Sequence, residues 1–581
     1  MKALVLLQRR FVRWTAPFWF AAVIIISGCS SDSGSSAGVG TGGTGSLASA
    51  VALDVTDAPA LDYAHVYITV TGVAFHTDAS TAFSGYSSAT AGQWQVVTLA
   101  SPQTIDLAQL TNGTMYADLN NNTSLFSGIS LPAGSYRQIR IFLASTEDAY
   151  AGSVSGLIYN NEVQLNGDSA HYPLRVPSPG EGIRVVPESP LVVSGGSSSK
   201  LALDFNLNDD VVRTSLAGAT EFLLKPRLGY FDMASVGAVT GTVSGVDLAT
   251  ARVEVKAEQV KSGATYRIVR RTTAVDQITG AFALYPLPVF GNATTASYDI
   301  LLRGRNVETA IVRKVQVHKG TTPGSGATAL GAITMQAGGE FTANLGAALH
   351  PTGSWLSFYQ TISGDQNAYE VRYRHLNPFT GVFPSPVELS TGAIHVATYV
   401  PGGQLSFTAE AVNSGRFSVV AGAPDLYDSG AAFDLTGGTA GTAVTMSPSA
   451  ANQPQITASA TAGSITCIFD MALLGTGTGP GMGLGNRLIG NPPKGQIFVT
   501  NGGLIIDSLG DLLGDTTVNT AMFAGGGMAN PVLVSNLPGN VAGAVYGVYA
   551  LGWGNSFLEV GKALAIDLRK GGGAAATIRM R

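Results

Sequence analysis

Short apolar runs alternate with polar residues along most of this chain, and the 3.6-residue spacing of a buried helix face is almost absent. "AHVYITVTGVAFH", from Ala64 to His76, puts Val66, Ile68 and Val70 on one side and His65, Tyr67 and Thr69 on the other. "RQIRIFLA", from Arg137, repeats the pattern with Ile139, Ile141 and Leu143. A period of two is what a strand with one buried face requires. Gly, Pro, Asn and Ser clusters separate the runs. This rhythm predicts an all-β chain of tandem antiparallel β-sandwich domains. It continues in "ARVEVKAE" (251–258) and "VRKVQVHKG" (312–320), and again in "SWLSFYQTI" (354–362) and "AYEVRYRHL" (368–376).

Two segments depart from the rhythm. From Leu435 to Leu558 only six charged residues occur, and Thr516–Leu558 holds none. Val541–Leu558 just reaches the length of a membrane span. Its four glycines, Asn555 and Ser556 favour buried strands with glycine-rich turns; a spanning helix and a partner-covered apolar surface are the alternatives.

The N-terminus is the other departure. Lys2, Arg9, Arg10 and Arg13 lead into the apolar run Phe18–Ile26, which is too short to span a bilayer stably. Small residues follow, and the order is that of a secretory signal peptide, residues 1–28. "QRRFVRW" fits a twin-arginine signal poorly, so the general secretory route is preferred. Ile26-Ser27-Gly28-Cys29 resembles the lipobox of bacterial lipoproteins. That resemblance implies a lipid on Cys29, and Ser30 after it implies the outer membrane of a Gram-negative host. Residues 29–47 then form a flexible Ser/Gly tether with a mean span of roughly 20–25 Å. The expected location is the bacterial cell envelope, with the membrane as a partner through the N-terminal lipid.

Composition narrows the partners further. The chain holds 33 basic and 38 acidic residues, and losing residues 1–28 removes four basic ones. A mildly acidic chain with 12% charged residues argues against nucleic acid, which wants a basic patch. Cys467 is the only other cysteine. With Cys29 acylated no intramolecular disulfide forms, so core burial must hold the domains together.

Six segments occur in order between residues 48 and 233: "LDVTDAPALDYAHVYITVTGVAFH", "WQVV…IDLAQLTNG", "LPAGSYRQIRIFL", "YPLRVPSPGEGIRVV", "LALDFNLNDDVV" and "FLLKPRLG". They resemble the DUF4382 family, which implies a β-rich domain common in bacterial lipoproteins and no known activity. Residues 236–335, with "GAFALYPLP" followed by "YDILLRG", resemble carboxypeptidase-regulatory-like or Cna B-like modules. These are prealbumin-type β-sandwiches, usually spacers. Residues 336–581 form a β-rich, Gly-rich, low-charge region of unrecognised family. Residues 48–233 are expected to fold autonomously, ending at the small-residue join Met233–Val239.

No catalytic constellation stands out. The seven histidines form no pair at metal-ligand spacing. Gly34-Ser35-Ser36-Ala37-Gly38 matches the nucleophile-elbow pattern inside the tether, where no strand precedes the serine. Gly475–Gly490 is glycine-rich but lacks the phosphate-loop spacing, so it reads as a connector. Asp204, Asn206 and Asn208 stand at calcium-loop spacing, although Asp209 and Ser215 occupy places where a calcium loop wants Gly and Glu. They are the leading metal-site candidate, with "DLNNNTS" from Asp118 a weaker one; calcium is the one cofactor they suggest, and a strand end running into an Asx-rich turn is the preferred account of them. Trp94, Trp355 and Trp553 are the mature tryptophans, candidates for a sugar-stacking platform or for sandwich cores. Three functions follow, in order of preference. The first is a non-catalytic envelope module that binds a polysaccharide or an envelope protein. The second is an assembly lipoprotein packing its low-charge C-terminal region on a membrane complex. The third is a hydrolase with carboxylates scattered over strands.

Overall fold

The computed structural model of the protein describes residues 49–580 other than 59–61, 84–93, 178, 217–218, 227, 261–262, 347, 411–412, 423–426, 429–432, 437–438, 447–456, 459–461, 471–493, 511–512, 514–516, 524–530 and 555–556. The signal peptide, the tether with Cys29, the Gly34–Gly38 match and the Gly475–Gly490 stretch therefore lie outside the described residues. Within them strands dominate, and the chain is all-β.

The alternating runs become strands as their pattern requires. Strand Tyr63–His76 buries Val66, Ile68 and Val70 completely. It lies inside an eight-stranded sheet, bonded antiparallel to Gln95–Asp106, Gln138–Leu143 and Glu162–Leu165. A four-stranded sheet faces it, in the order Gly229–Asp232, Ser198–Asn206, Ser49–Ala58, Phe126–Leu131. Leu53, Val55, Ile68, Val70, Ile141 and Leu203 belong to the core between them. Most strand pairs are antiparallel, but Ser49–Ala58 runs parallel to Ser198–Asn206, and Val236–Ser244 runs parallel to Thr328–Thr334. Period-two alternation fixes which face is buried, and it is silent about the direction of the neighbour.

The second sandwich sets a three-stranded sheet, Ala281–Pro288, Val236–Ser244 and Thr328–Thr334, against a six-stranded one. The latter begins Arg267–Ala274, Glu254–Val260, Thr295–Arg303, Thr309–His318, and then continues into Ile394–Thr398 and Thr408–Glu410. Its hydrogen bonding thus crosses residue 335, because Thr309–His318 pairs in parallel with Ile394–Thr398. Strands Trp355–Gln360 and Tyr369–His375 belong to a further sheet whose core holds Phe341, Phe358 and Tyr369 and takes in Leu301 and Ile311 from the second sandwich.

A seven-stranded sheet spans residues 462–580. The low-charge segment supplies strand Val545–Gly554 and the start of Phe557–Asp567. No helix among the described residues is long and apolar enough to cross a membrane, which says nothing of crossing by strands. Phe498, Tyr549, Leu551 and Trp553 of this sheet pack with Leu216 and Leu223 of the first sandwich and with Phe379. Polar ties accompany that contact. Tyr549 donates to Glu147 Oε1 at 2.7 Å, and Arg175 Nη1 donates to the same oxygen at 3.0 Å while gripping Glu221 through Nε and Nη2 at 2.5 and 2.8 Å. Glu181 accepts from Thr500 Oγ1 at 3.1 Å and from the Gly503 amide at 3.0 Å.

Candidate functional site

Strand Ser198–Asn206 ends at "DFN" and a one-turn helix, Leu207–Asp210, follows it. This end of the first sandwich meets strand Arg267–Ala274 of the second and the paired strands Trp355–Gln360 and Tyr369–His375. A crevice of about 310 Å³ opens between them, near the lower end of small-molecule pocket sizes.

Arg270 and Arg271 are neighbours on one strand, at a bulge that interrupts its ladder with Glu254–Val260. Arg270 pairs with the exposed Glu188. Arg271 is 0% exposed and forms an ion pair with Asp204 through Nη1. Its Nη2 donates to Thr56 Oγ1 at 3.2 Å and to the Asp57 carbonyl at 2.9 Å. The buried Nε–H of Arg271 has no hydrogen-bond partner. Asp204 and Asn206 are two apart on their strand and share a face. Asn206 Nδ2 donates to Asp209 Oδ2 at 2.7 Å, while its Oδ1 is buried without a partner.

Across the crevice Lys256 Nζ donates to the Glu370 carbonyl at 3.2 Å and reaches its carboxylate at 3.5 Å. The other Glu370 carboxylate oxygen accepts from the Tyr359 hydroxyl at 3.3 Å. Arg374 Nη1 stands 3.5 Å from Asp209 Oδ1. Trp355 is half-buried, its ring 5.9 Å from that of Tyr373. It lies over Gly422, its partner in the ladder, where any Cβ would fall 2.2 Å from the indole nitrogen. Glycine there is a packing requirement for the tryptophan.

Burial controls the titration of this region. It raises Asp209 to about 6 against the opposing pull of Arg374, and it lifts Asp57 well above the usual carboxylate range against Arg271. It lowers Arg271 to about 10. Glu258, fully buried and accepting the Glu370 amide at 3.1 Å, is pushed up to about 8 by burial. A carboxyl that holds its proton more tightly when folded gives stability below its unfolded pKa, and that stability is lost as pH rises through the folded value. From about pH 5 to 8, Glu258 should therefore lower stability by at most about 1.4 kcal/mol per pH unit. Urea unfolding of Glu258→Gln at pH 5, 6.5 and 8 should show a flatter slope than the parent; an unchanged slope would remove Glu258 as its source.

The sequence-based candidates divide. Asp204 and Asn206 line the crevice, but Asp204 is taken up by Arg271 and the amide nitrogen of Asn206 is turned to Asp209. Asn208 leaves the strand for the one-turn helix, so the three do not project from one strand face. Among the described residues no group of three His, Cys, Asp or Glu side chains is placed to hold a metal ion. Trp94 is 6% exposed, meets Phe83 edge-on with 5.3 Å between centroids, and carries the Arg140 guanidinium 5.5 Å from its centroid. Trp553, 3% exposed, sits in the cluster that joins the C-terminal sheet to the first sandwich. Of the three tryptophans only Trp355 lines the crevice. Arg271, Lys256, Tyr359 and Tyr373 were not singled out by sequence. The sequence held one hint, the adjacent arginines Arg270-Arg271 inside a β-branched run.

Residues 48–226 match the family described as "Domain of unknown function (DUF4382)". No curated protein matches the chain. Solved structures give only faint likenesses. A C-terminal interface mutant of a type II cohesin–X-dockerin complex from Acetivibrio cellulolyticus is 16% identical with a TM-score of 0.12, covering 18% of this chain and 58% of that one. The chain thus spans little more than half of that protein. The Bacillus anthracis TIE protein is 10% identical with a TM-score of 0.15 over 94% of this chain and 76% of that one. The shaft pilin SpaA of Lactobacillus rhamnosus GG is 11% identical with a TM-score of 0.11, covering 37% of this chain and 98% of that one. At these TM-scores the likenesses carry no argument. The matched family brings a domain boundary and no activity, so function rests on the crevice.

Proposed function

We propose that this chain is a non-catalytic binding protein of a bacterial envelope, anchored through Cys29, and that it holds a polysaccharide in the crevice. The observation that supports this reading is the lining itself. A half-buried tryptophan face stands beside buried polar atoms with unmet hydrogen-bonding capacity, Arg271 Nε and Asn206 Oδ1. Buried polar groups are normally satisfied, so such atoms mark a place where a ligand completes the structure. The unit expected to be a spacer, residues 236–335, supplies Lys256 and Arg271 to that lining. The assembly reading has less to draw on, since Tyr549 and Trp553 of the low-charge region are already covered by this chain's own residues.

The test joins anchor and ligand. Cys29→Ala should move the protein from the membrane fraction to the soluble fraction in cells. Purified full-length protein should retain envelope polysaccharide on a column, and Trp355→Ala should not. A Cys29→Ala protein that stays with membranes after a high-salt wash would overturn the anchor. Equal retention by Trp355→Ala would overturn the crevice as the site.

A further inference from the structure

We infer that the crevice selects an uncharged hexopyranose unit over an acidic sugar. This inference rests on the polysaccharide-binding reading above and names its ligand class. The charged side chains of the lining balance, four acidic (Asp204, Asp209, Asp210, Glu370) against four basic (Lys256, Arg267, Arg270, Arg271).

They are also engaged already. Asp204 is held by Arg271, Asp209 stands beside Arg374, Glu370 takes Lys256, and Arg270 takes Glu188. Asp210 accepts from the Asn206 amide at 3.0 Å, and Arg267 pairs with Asp299 and Asp365. A uronate or a sulfated sugar entering this space would bring a charge with no counter-charge left to meet it. Desolvating an unpaired charge costs several kcal/mol, far more than a hydroxyl hydrogen bond returns. What the lining leaves unmet is neutral in demand: one N–H donor, Arg271 Nε, and one amide oxygen acceptor, Asn206 Oδ1.

Both atoms belong to residues that line the crevice. Asn206 shares its strand face with Asp204, and Asp204 is bound by Arg271. Pyranose hydroxyls both donate and accept hydrogen bonds, and so match a lining whose unmet demand is one donor and one acceptor. The apolar C–H face of the same ring lies flat on an aromatic side chain, and the half-buried Trp355 lines the same space. Glu188, partner of Arg270, is itself exposed, so solvent already screens that pair and leaves no buried positive charge for a ligand carboxylate.

The experiment uses the full-length protein and an array of uncharged oligomers (gluco-, galacto-, manno- and N-acetylglucosamine series) beside galacturonate, glucuronate and sulfated oligomers. Hits are followed by calorimetry and by tryptophan fluorescence, with Trp355→Phe assigning the signal among the three mature tryptophans. At least one uncharged series should bind and perturb Trp355, and its acidic counterpart should bind about tenfold or more weakly. Trp355→Ala should weaken binding about tenfold or more, Trp355→Phe should recover part of the loss, and Asn206→Ala should weaken binding while keeping the parent's far-UV circular dichroism. Binding of acidic oligomers alone through Trp355 would overturn the inference and leave the binding reading standing. Full affinity in Asn206→Ala together with Trp355→Ala would also overturn it. An array blank throughout, with Trp355 fluorescence unmoved, would overturn the inference and the polysaccharide reading together.

Discussion

Arg271→Ala should destabilise the protein by about 3–5 kcal/mol, as expected when one partner of a buried ionic cluster is deleted. Arg271, on strand Arg267–Ala274 of the second sandwich, is fully buried against two strands of the first, bound to Asp204 and to the Asp57 carbonyl. Asp57 is itself 0% exposed, and its Oδ2 already lacks a hydrogen-bond partner. Without the guanidinium, the carboxylates of Asp57 and Asp204 each lose the cation that offsets their burial. They respond by taking up protons, so the loss should be larger at pH 8 than at pH 5. The control is the next residue. Arg270 pairs with a Glu188 that is 51% exposed, and Arg270→Ala should cost only about 0–1 kcal/mol. Urea unfolding of both variants at the two pH values checks the argument. Equal effects at positions 270 and 271 would mean that the Asp57 side is hydrated and that the pair is worth little.

The second large effect is expected at Phe498. Its ring is buried, edge-on to Phe379 at 4.9 Å and tilted to Tyr549 at 6.2 Å, in the cluster that includes Leu216 and Leu223. Phe498→Ala should cost about 3–5 kcal/mol from lost burial and the cavity left behind. The site matters more than the size. Because this cluster joins the C-terminal sheet to the first sandwich, the variant should lose cooperativity between them. Unfolding followed by near-UV and far-UV circular dichroism should coincide in the parent and separate in Phe498→Ala. Coincident, shifted transitions would show that the tie through Tyr549, Glu147 and Arg175 couples the two without the aromatic cluster.

How much of this was readable in advance depends on distance along the chain. Strand Tyr63–His76 was legible because its alternation is local, and each residue reports its own face. The parallel partner of Ser49–Ala58 was not, since Ser198–Asn206 lies some 150 residues on and alternation carries no direction. Asp204 and Asn206 drew attention for their spacing, yet Asp204 is taken up by Arg271, whose bond to Asp57 spans 214 positions. A tryptophan reads alike as core or as platform until its neighbours are known. For Trp94 the neighbours are Phe83 and Arg140, and for Trp355 they are Gly422, Tyr373 and His375 at the edge of a crevice.

The first strand carries one more implication. Ser49–Ala58 is flanked on both sides, by Ser198–Asn206 and by Phe126–Leu131, and Ala58 at its far end borders the crevice. A pull on the chain at Ser49 against a load beside Ala58 runs along the axis of that strand. Ladder hydrogen bonds lie across the strand direction, so such a force meets them in shear, many at once, and cannot peel them open one by one. The first described strand is thus one built to bear tension along the chain.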